Sequence, residues 1–89
     1  MDEKILLDLT KYRLGISTNV RDAYISAIIK ATIKELEDEK GVKLEVKNDN
    51  HLLFISDYCA WRYLSRDKDG AIPRDLQYRL HNLIVHNGK

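Results

Sequence analysis

The sequence predicts an all-α fold, a small bundle of about four helices with a long second helix and an extended connection at residues 42–47. Three observations predict it. Apolar residues recur at helical spacing in four segments, and the glycines and the proline fall between these segments rather than inside them. Only residues 42–47 alternate between apolar and polar side chains. A chain of 89 residues has room for one core, so residues 1–89 are interpreted as a single helical domain.

The first two helices are predicted from their apolar spacing and from the glycines that follow them. The first runs from Lys4 to Leu14, and Gly15 is placed to end it. The second begins at about residue 19 and runs to about Lys40, because nothing interrupts it before Gly41. The candidate N-caps of this second helix, which is the longest predicted element, are Ser17, Thr18 and Asn19.

The second half of the chain adds the extended connection and two more helices. Residues 42–47 are interpreted as a segment that pins apolar side chains onto the bundle, with a short edge strand as the alternative. Asp49 or Asn50 is the predicted cap of a third helix that runs to about Ser65, and residues 66–70 form a solvated turn. Pro73 suits the first turn of a fourth helix, which extends to about Asn87.

The second and third helices carry more apolar surface than one buried face uses. The third is apolar nearly all round between residues 52 and 64, which indicates either a central helix wrapped by the others or a subunit contact. The residues predicted to be buried, with Trp61 at least partly so, are Leu9, Ile28, Ile55, Cys59, Leu76 and Leu80.

Composition excludes several classes of protein. The formal net charge of +1 is unlike that of a general nucleic-acid binder, which carries a clear basic excess. The single cysteine excludes an internal disulfide framework and a cysteine-based zinc site, which favours a reduced, intracellular protein. No apolar run approaches the length of a membrane span, so no membrane partner is predicted.

The residues that could carry chemistry give no catalytic or metal-binding pattern. His51, His81 and His86 include no pair at the i, i+4 spacing of two ligands on one helix face. Cys59 is predicted to be a small buried hydrophobe with a raised pKa. Asp57 is predicted to pair with Arg62 or with a basic residue of another helix. The sequence therefore predicts no catalytic residue, metal or cofactor, and a protein that is not an enzyme.

Short motifs along most of the chain carry a family resemblance. They are Leu14-Gly15-Ile16, Arg21-Asp22-Ala23-Tyr24-Ile25, Glu35-Leu36-Glu37, Gly41-Val42, Asp57-Tyr58, Trp61-Arg62-Tyr63, Ile72-Pro73-Arg74 and Leu76-Gln77-Tyr78-Arg79-Leu80. With this helix order, the chain resembles the small helical head–tail connector proteins of tailed bacteriophages, also called adaptor or head-completion proteins.

The resemblance implies a structural subunit without catalytic activity. Copies would form a ring under the portal protein in the virion neck, extend the DNA channel and receive a stopper or tail-completion protein. DNA would pass through the channel without specific binding. The protein would be made in the bacterial host cytoplasm, from a phage or a prophage.

Two sets of residues are predicted to form the contacts between ring subunits. One lies on the second helix and the other on the third and fourth, so that unlike patches meet head to tail. The predicted interface residues are Ile25, Ile29, Ile33, Leu36, Trp61, Arg62, Tyr78 and Arg79.

The alternative function is a small helical DNA-binding regulator that uses its last helix. Arg74, Gln77, Arg79, His81 and Asn82 on that helix are of types that contact bases. The connection before the helix is longer than the three or four residues of a helix-turn-helix unit, which weighs against this reading.

Overall fold

The computed structural model describes residues 2–45, 47–65 and 71–87, with the side chains of His86 and Asn87 left aside. The described residues form four α-helices, and a π-helical turn at Glu35–Glu39 continues the second without a break. The helices are α1 (Glu3–Leu14), α2 (Asp22–Lys34), α3 (Asp49–Leu64) and α4 (Arg74–Asn87). Helix is the only regular secondary structure in these ranges, which confirms the predicted all-α bundle. The predicted turn at 66–70 lies outside the described residues.

Helix α1 has a side-chain cap at its start and a glycine cap at its end. The Asp2 carboxylate accepts hydrogen bonds from two backbone N–H groups of the first turn. Gly15 has φ of 73°, and the N–H of Ile16 donates to the carbonyl of Lys11 at 2.9 Å. This is a Schellman motif, in which the left-handed conformation favours glycine. The predicted end of α1 is confirmed.

Helix α2 begins later than predicted and without any of the predicted caps. Its N-cap position is Arg21, which makes no side-chain capping bond. Asn19 uses its side-chain oxygen to accept from Lys11 Nζ at 3.1 Å, and its backbone carbonyl accepts from Asp22 N at 3.3 Å. The candidate caps at residues 17–19 are therefore wrong, because Asn19 is engaged by α1 in a turn that precedes the helix.

The π-helical turn at the end of α2 brings the extended connection back onto the core. The N–H of Lys40 donates to the carbonyl of Glu35 at 3.1 Å, which is the i+5 bond of a π-helix. Gly41 follows with φ of 68°, and the N–H of Val42 reaches the carbonyl of Leu36 at 2.9 Å. Val42 is only 2% exposed, so the wide turn and the glycine together place it in the core.

The connection after Gly41 has no regular secondary structure at residues 42–45 and a turn at Lys47, so its described residues form no edge strand. Val42 is buried and Leu44 is half-buried, so the apolar side chains of the alternation face the bundle. The backbone N–H of Glu45 donates to Nδ1 of the buried His51 at 3.1 Å. Val46 lies outside the described residues.

Neither predicted cap of helix α3 is right, because its N-cap lies one residue before Asp49. Asn48 is its N-cap, and its side-chain oxygen accepts from the backbone N–H groups of Asn50 and His51 at 3.0 and 3.3 Å. Asp49 instead lies in the first turn, where the helix dipole favours a negative charge.

Helix α3 is the centre of the bundle and packs against α1, α2 and α4. This confirms the first of the two predicted explanations for its apolar surface. In the described part of the chain, α4 packs against α3 and against no other helix. The buried residues of α3 are His51, Phe54, Ile55, Ser56, Cys59, Ala60 and Tyr63.

The predicted core is partly right. Ile55, Cys59 and Leu76 are buried, and Trp61 is partly buried, as predicted. The prediction is wrong for Leu9, Ile28 and Leu80, which are only half-buried. Ile28 and Leu80 pack against the core but are only partly covered, because periodicity shows which side chains share a stripe and not how far a neighbouring helix extends over it.

Candidate interaction surfaces

Asp57 lies on α3 between α1 and α4 and binds one arginine from each of them. Arg13 Nε is 3.2 Å from Oδ1, and Arg79 Nη1 is 2.9 Å from Oδ2. The Asp57 side chain is 27% exposed, and the Arg79 guanidinium also lies 5.5 Å from the centre of the Phe54 ring. The predicted pairing with a basic residue of another helix is confirmed. This clamp joins α1, α3 and α4 through charge-assisted hydrogen bonds.

Arg62 lies on a different side of α3 and faces α2. Its Nη1 donates to Thr32 Oγ1 at 3.0 Å and is 3.7 Å from Glu35 Oε2. Its guanidinium carbon is 6.0 Å from the centre of the Tyr58 ring, at the limit of a cation–π contact. Burial, and then the Glu35 carboxylate, raise the pKa of Tyr58 above its ordinary value. Arg62 is therefore a bridge between α2 and α3.

Cys59 and His51, which are of chemically reactive types, are both buried in the fold. Cys59 is fully buried, and burial raises the pKa of its thiol to about 11, although a hydrogen bond with Thr32 and the charge of Arg62 oppose the rise. A thiol with this pKa is protonated at neutral pH and is a poor nucleophile, as predicted. His51 is 2% exposed and accepts a hydrogen bond from the connection before α3.

The structure corrects the predicted interface on α2. Ile25, Ile29 and Leu36 are 0%, 0% and 1% exposed, and Ile33 is half-buried. Side chains that already fill the core offer no surface to a second subunit. The prediction is therefore wrong for Ile25, Ile29 and Leu36, while the half-buried Ile33 stays a predicted interface residue. The sequence shows two neighbouring apolar stripes on α2 without showing which one the bundle covers.

Helix α2 has a second apolar stripe beside the buried one, and the bundle leaves this second stripe uncovered. It is here called the outer α2 face. Val20 is 87% exposed and Tyr24 is 48% exposed. Ala27 and Ala31 are also exposed, and Ile28 is half-buried at its edge. Val20 precedes the helix, and the other four residues follow one another at helical spacing along it.

A second uncovered apolar face lies on α1, where the sequence analysis placed no interface. It consists of Ile5, Leu9 and Tyr12, which recur at i, i+4 and i+7. Ile5 is 39% exposed, Tyr12 is 89% exposed and Leu9 is half-buried. These three residues are here called the outer α1 face. Their spacing was the signal that could have revealed it.

Helix α4 carries the remaining predicted interface residues. Tyr78 is 68% exposed, whereas Arg79 is held by Asp57. Arg79 and the partly buried Trp61 line one cavity of about 270 Å³ between α3 and α4, and Arg62 lies on the other side of α3. The structure thus brings Trp61 and Arg79 to one cavity, while the Tyr58 ring lies between Trp61 and Arg62, 5.7 Å from the Trp61 ring and 6.0 Å from the Arg62 guanidinium carbon.

Helix α4 does not pack against α3 along its whole length. A cleft of about 480 Å³ lies between the start of α3 and the second half of α4, and its lining includes Leu53 and Leu83. Leu53 is 50% exposed and Leu83 is half-buried. Val85, near the end of α4, is 47% exposed. Val85 lies seven residues after the exposed Tyr78 and so shares its side of α4, which makes that side a third uncovered apolar surface.

The described residues hold neither a cluster of metal ligands nor a membrane-spanning helix. Within residues 2–45, 47–65 and 71–87, no three side chains of His, Cys, Asp or Glu are grouped as metal ligands. None of the helices in these ranges combines the length and the apolar character that crossing a membrane requires.

No protein-family model, curated protein or solved structure matches the chain. The resemblance to phage connectors therefore stays a prediction, which depends on the helix order and the short motifs.

Proposed function

We propose that the protein is a structural subunit of a ring that connects head and tail in a tailed bacteriophage. Copies assemble under the portal protein in the virion neck, extend the DNA channel and receive a stopper or tail-completion protein. The observation that supports this most is that, among the described residues, separate apolar faces on α1, α2 and α4 are left uncovered.

A ring subunit needs several contact surfaces at once. Each copy contacts two neighbouring copies, the portal on one side and the next neck protein on the other. Large apolar side chains that are exposed in groups indicate such contacts, whereas isolated ones are common on any surface. Three faces on three helices fit a subunit with several neighbours better than a protein with one binding site.

The residues of reactive type support a structural role rather than catalysis. The Asp57 carboxylate holds two arginines, the Cys59 thiol is buried and protonated, and His51 anchors the connection before α3. Each of these groups has a structural partner or environment that accounts for its position.

A DNA-binding regulator is the second candidate function, and the ion pair made by Arg79 of α4 weighs against it. Arg79, one of the predicted base-contacting residues, is paired with Asp57 at 2.9 Å. Breaking that pair to contact DNA would remove the clamp between α3 and α4. Arg74, Gln77 and His81 are exposed and remain the candidates for such contacts.

The test is binding to portal rings encoded by the same genome as the chain. The purified protein should co-sediment with the portal rings at a fixed stoichiometry and appear as added density at one end of the ring in electron micrographs. The same preparation should show no duplex-DNA binding that weakens steeply with salt. Failure to bind the portal would contradict the connector proposal, and strong salt-dependent DNA binding would favour the regulator.

A further inference from the structure

Helix α4 is attached to the bundle through one helix. Among the described helices it packs on α3 and on no other. Leu76 is its buried anchor, at 5% exposed. Arg79 adds an ion pair with Asp57 at 2.9 Å, and its guanidinium carbon lies 5.5 Å from the centre of the Phe54 ring. A single face of α3 therefore holds α4 in place.

Two clefts leave the contact between α3 and α4 loosely filled. The larger, of about 480 Å³, is lined by Asn50 of α3 and Asn82 of α4 among others. The smaller, of about 270 Å³, is lined by Trp61 of α3 and Leu76 of α4 among others, and Arg79 lines both clefts. Protein interiors are normally close-packed, and local opening starts where packing is poor. The bundle is therefore expected to open between α3 and α4.

The rest of the bundle keeps its core when α4 is separated from it. Of the buried apolar side chains among the described residues, Leu76 is the only one on α4. The others lie on α1, on α2 and its π-helical turn, on the connection after Gly41 and on α3. Separation would expose the face of α3 that α4 covers, and that face would then need a replacement helix.

The connection between α3 and α4 is long enough for α4 to reach a neighbouring copy. It consists of residues 65–73, and a fully extended chain of that length spans up to about 30 Å. Packed helices are about 8–10 Å apart, so this length exceeds the distance to the next helix of an adjoining copy. From residue 66 to residue 71 the sequence has no large apolar side chain that would tie the connection to a core.

We infer that α4 of each copy in the ring packs against α3 of the next copy. The partner is a second copy of this chain, and the inference rests on the proposed ring assembly. Arg79 of one copy then binds Asp57 of the next, and Leu76 fills the same place on α3 as it does within one chain. Exchange of an identical element needs no new complementary surface, which makes it a low-cost route to an oligomer. In a closed ring every α3 receives an α4, so no contact of the single chain is lost.

Cysteine cross-linking across the larger cleft tests the exchange. Asn50 and Asn82 line this cleft from α3 and α4, and neither side chain is buried, so replacing them keeps the apolar contacts. The variant that carries both Asn50→Cys and Asn82→Cys, bound to portal rings and treated with a short bis-maleimide, should give a ladder of trimers and larger products on a denaturing gel. Without exchange, the reagent would join two cysteines of one chain, and the products would stay monomeric. The native Cys59 is buried and should not react.

A matched control places both cysteines in parts of the chain that do not exchange. Ser17, before α2, and Leu64, at the end of α3, line a separate cavity of about 370 Å³. The variant with Ser17→Cys and Leu64→Cys should give only monomeric products on the same portal rings. A second test pair, Leu53→Cys with Leu83→Cys, lines the same cleft as the first pair and should reproduce its ladder.

Each outcome decides between the exchange and its alternatives. Monomeric products from both test pairs in variants that bind portal rings would overturn the exchange and leave the proposed function standing. Products that stop at dimers would overturn the head-to-tail arrangement, and a ladder in the control as well would trace the cross-links to chance proximity and overturn the inference. Ladders from the test pairs alone, in a chain that never binds the portal, would support the exchange and contradict the connector proposal.

Discussion

The three-helix unit of α1, α2 and α3 and the last helix, α4, differ in how completely their apolar side chains are covered. In the unit, Leu6, Ile25, Ile29 and Ile55 are all 0% exposed. On the described part of α4, Leu76 is the one large apolar side chain that is buried, at 5% exposed. The difference indicates that the unit supplies most of the folding free energy, whereas α4 is attached to α3 alone among the described helices.

The arrangement of the helices explains this difference. Helices α1, α2 and α3 pack against one another, so apolar side chains between them are covered from two directions. Among the described helices, α4 packs on α3 alone. Only the stripe of α4 that faces α3 is therefore covered. The clamp of Arg79 and Asp57 adds an ionic attachment to the contact made by Leu76.

The largest expected contrast is between core truncations in the two regions. Ile55→Ala removes a fully buried side chain of the unit and should lower the free energy of unfolding by about 2–5 kcal/mol. Leu83→Ala, on α4, removes a half-buried side chain and should cost about 1 kcal/mol or less. Urea denaturation of both variants measures this. Equal losses would contradict the idea that the unit carries most of the stability.

The Cys59 thiol makes the stability of the unit depend on pH. Its pKa is raised by burial from the ordinary 9.0 to about 11 in the folded state. The protonated thiol therefore contributes about 3 kcal/mol to the stability of the folded state. This contribution is fully present below about pH 9 and is lost as the pH rises through 11. Urea unfolding at pH 8.5 and at pH 11 should show a smaller loss in Cys59→Ala than in the parent chain.

The two chains share all other groups that titrate in this range, but Cys59 contributes to the raised pKa of Tyr58, so the difference between them measures the thiol together with its coupling to Tyr58. An identical loss of stability in both chains would contradict the assignment.

A cysteine placed on α4 by Val85→Cys should react with iodoacetamide at pH 8, while Cys59 in the same chain stays unreacted. This labelling contrast compares the coverage of the two regions directly.

Loss of the Asp57 clamp should affect α4 more than the unit. Asp57→Asn keeps the size of the side chain but removes its charge, and we expect a loss of about 1–2 kcal/mol in stability. Hydrogen exchange should become faster mainly at the amides of α4. The control Asp8→Asn, at an exposed site on α1, should change stability by about 0.5 kcal/mol or less. Uniformly faster exchange along all four helices would show that α4 is as tightly integrated as the unit.

The smallest expected effect on stability comes from Tyr78→Ser on α4. Tyr78 is 68% exposed, so this variant should unfold within about 0.5 kcal/mol of the parent. If α4 binds a neck protein, portal binding should nevertheless fall at least tenfold, because exposed tyrosines are frequent in interface hot spots. The control Lys47→Ser, at another exposed residue, should bind as the parent does. Undiminished portal binding by Tyr78→Ser would remove this part of α4 from the interface.

Arg79 is a poorer probe of the same surface. Charge reversal there breaks its contact with Asp57 at 2.9 Å, so lost binding could not be separated from a displaced α4. The sequence placed Tyr78 and Arg79 in one predicted interface because together they form an arginine–aromatic grouping, and both residue types are enriched in interface hot spots. In the structure one is exposed and the other belongs to the clamp.

The candidate surfaces were only partly predictable. Tyr78 was identified as an interface residue and is exposed, but Ile25, Ile29 and Leu36 were assigned to an interface and fill the core. Both stripes of α2 are apolar, so composition cannot distinguish the covered stripe from the uncovered one. The outer α1 face went unrecognised because three residues at helical spacing also describe an ordinary buried stripe.

The sequence alone determined the properties that depend on local chemistry. Helical periodicity gave the number and order of the helices, and Gly15 and Gly41 set two of the helix ends through their left-handed conformations. Tertiary structure decided which stripe of each helix is covered, which arginines bind Asp57, and how little of α4 is enclosed. The physical reason is that burial and ion pairing depend on which helices become neighbours and at what angle, whereas turns and helix ends depend on residues a few positions apart.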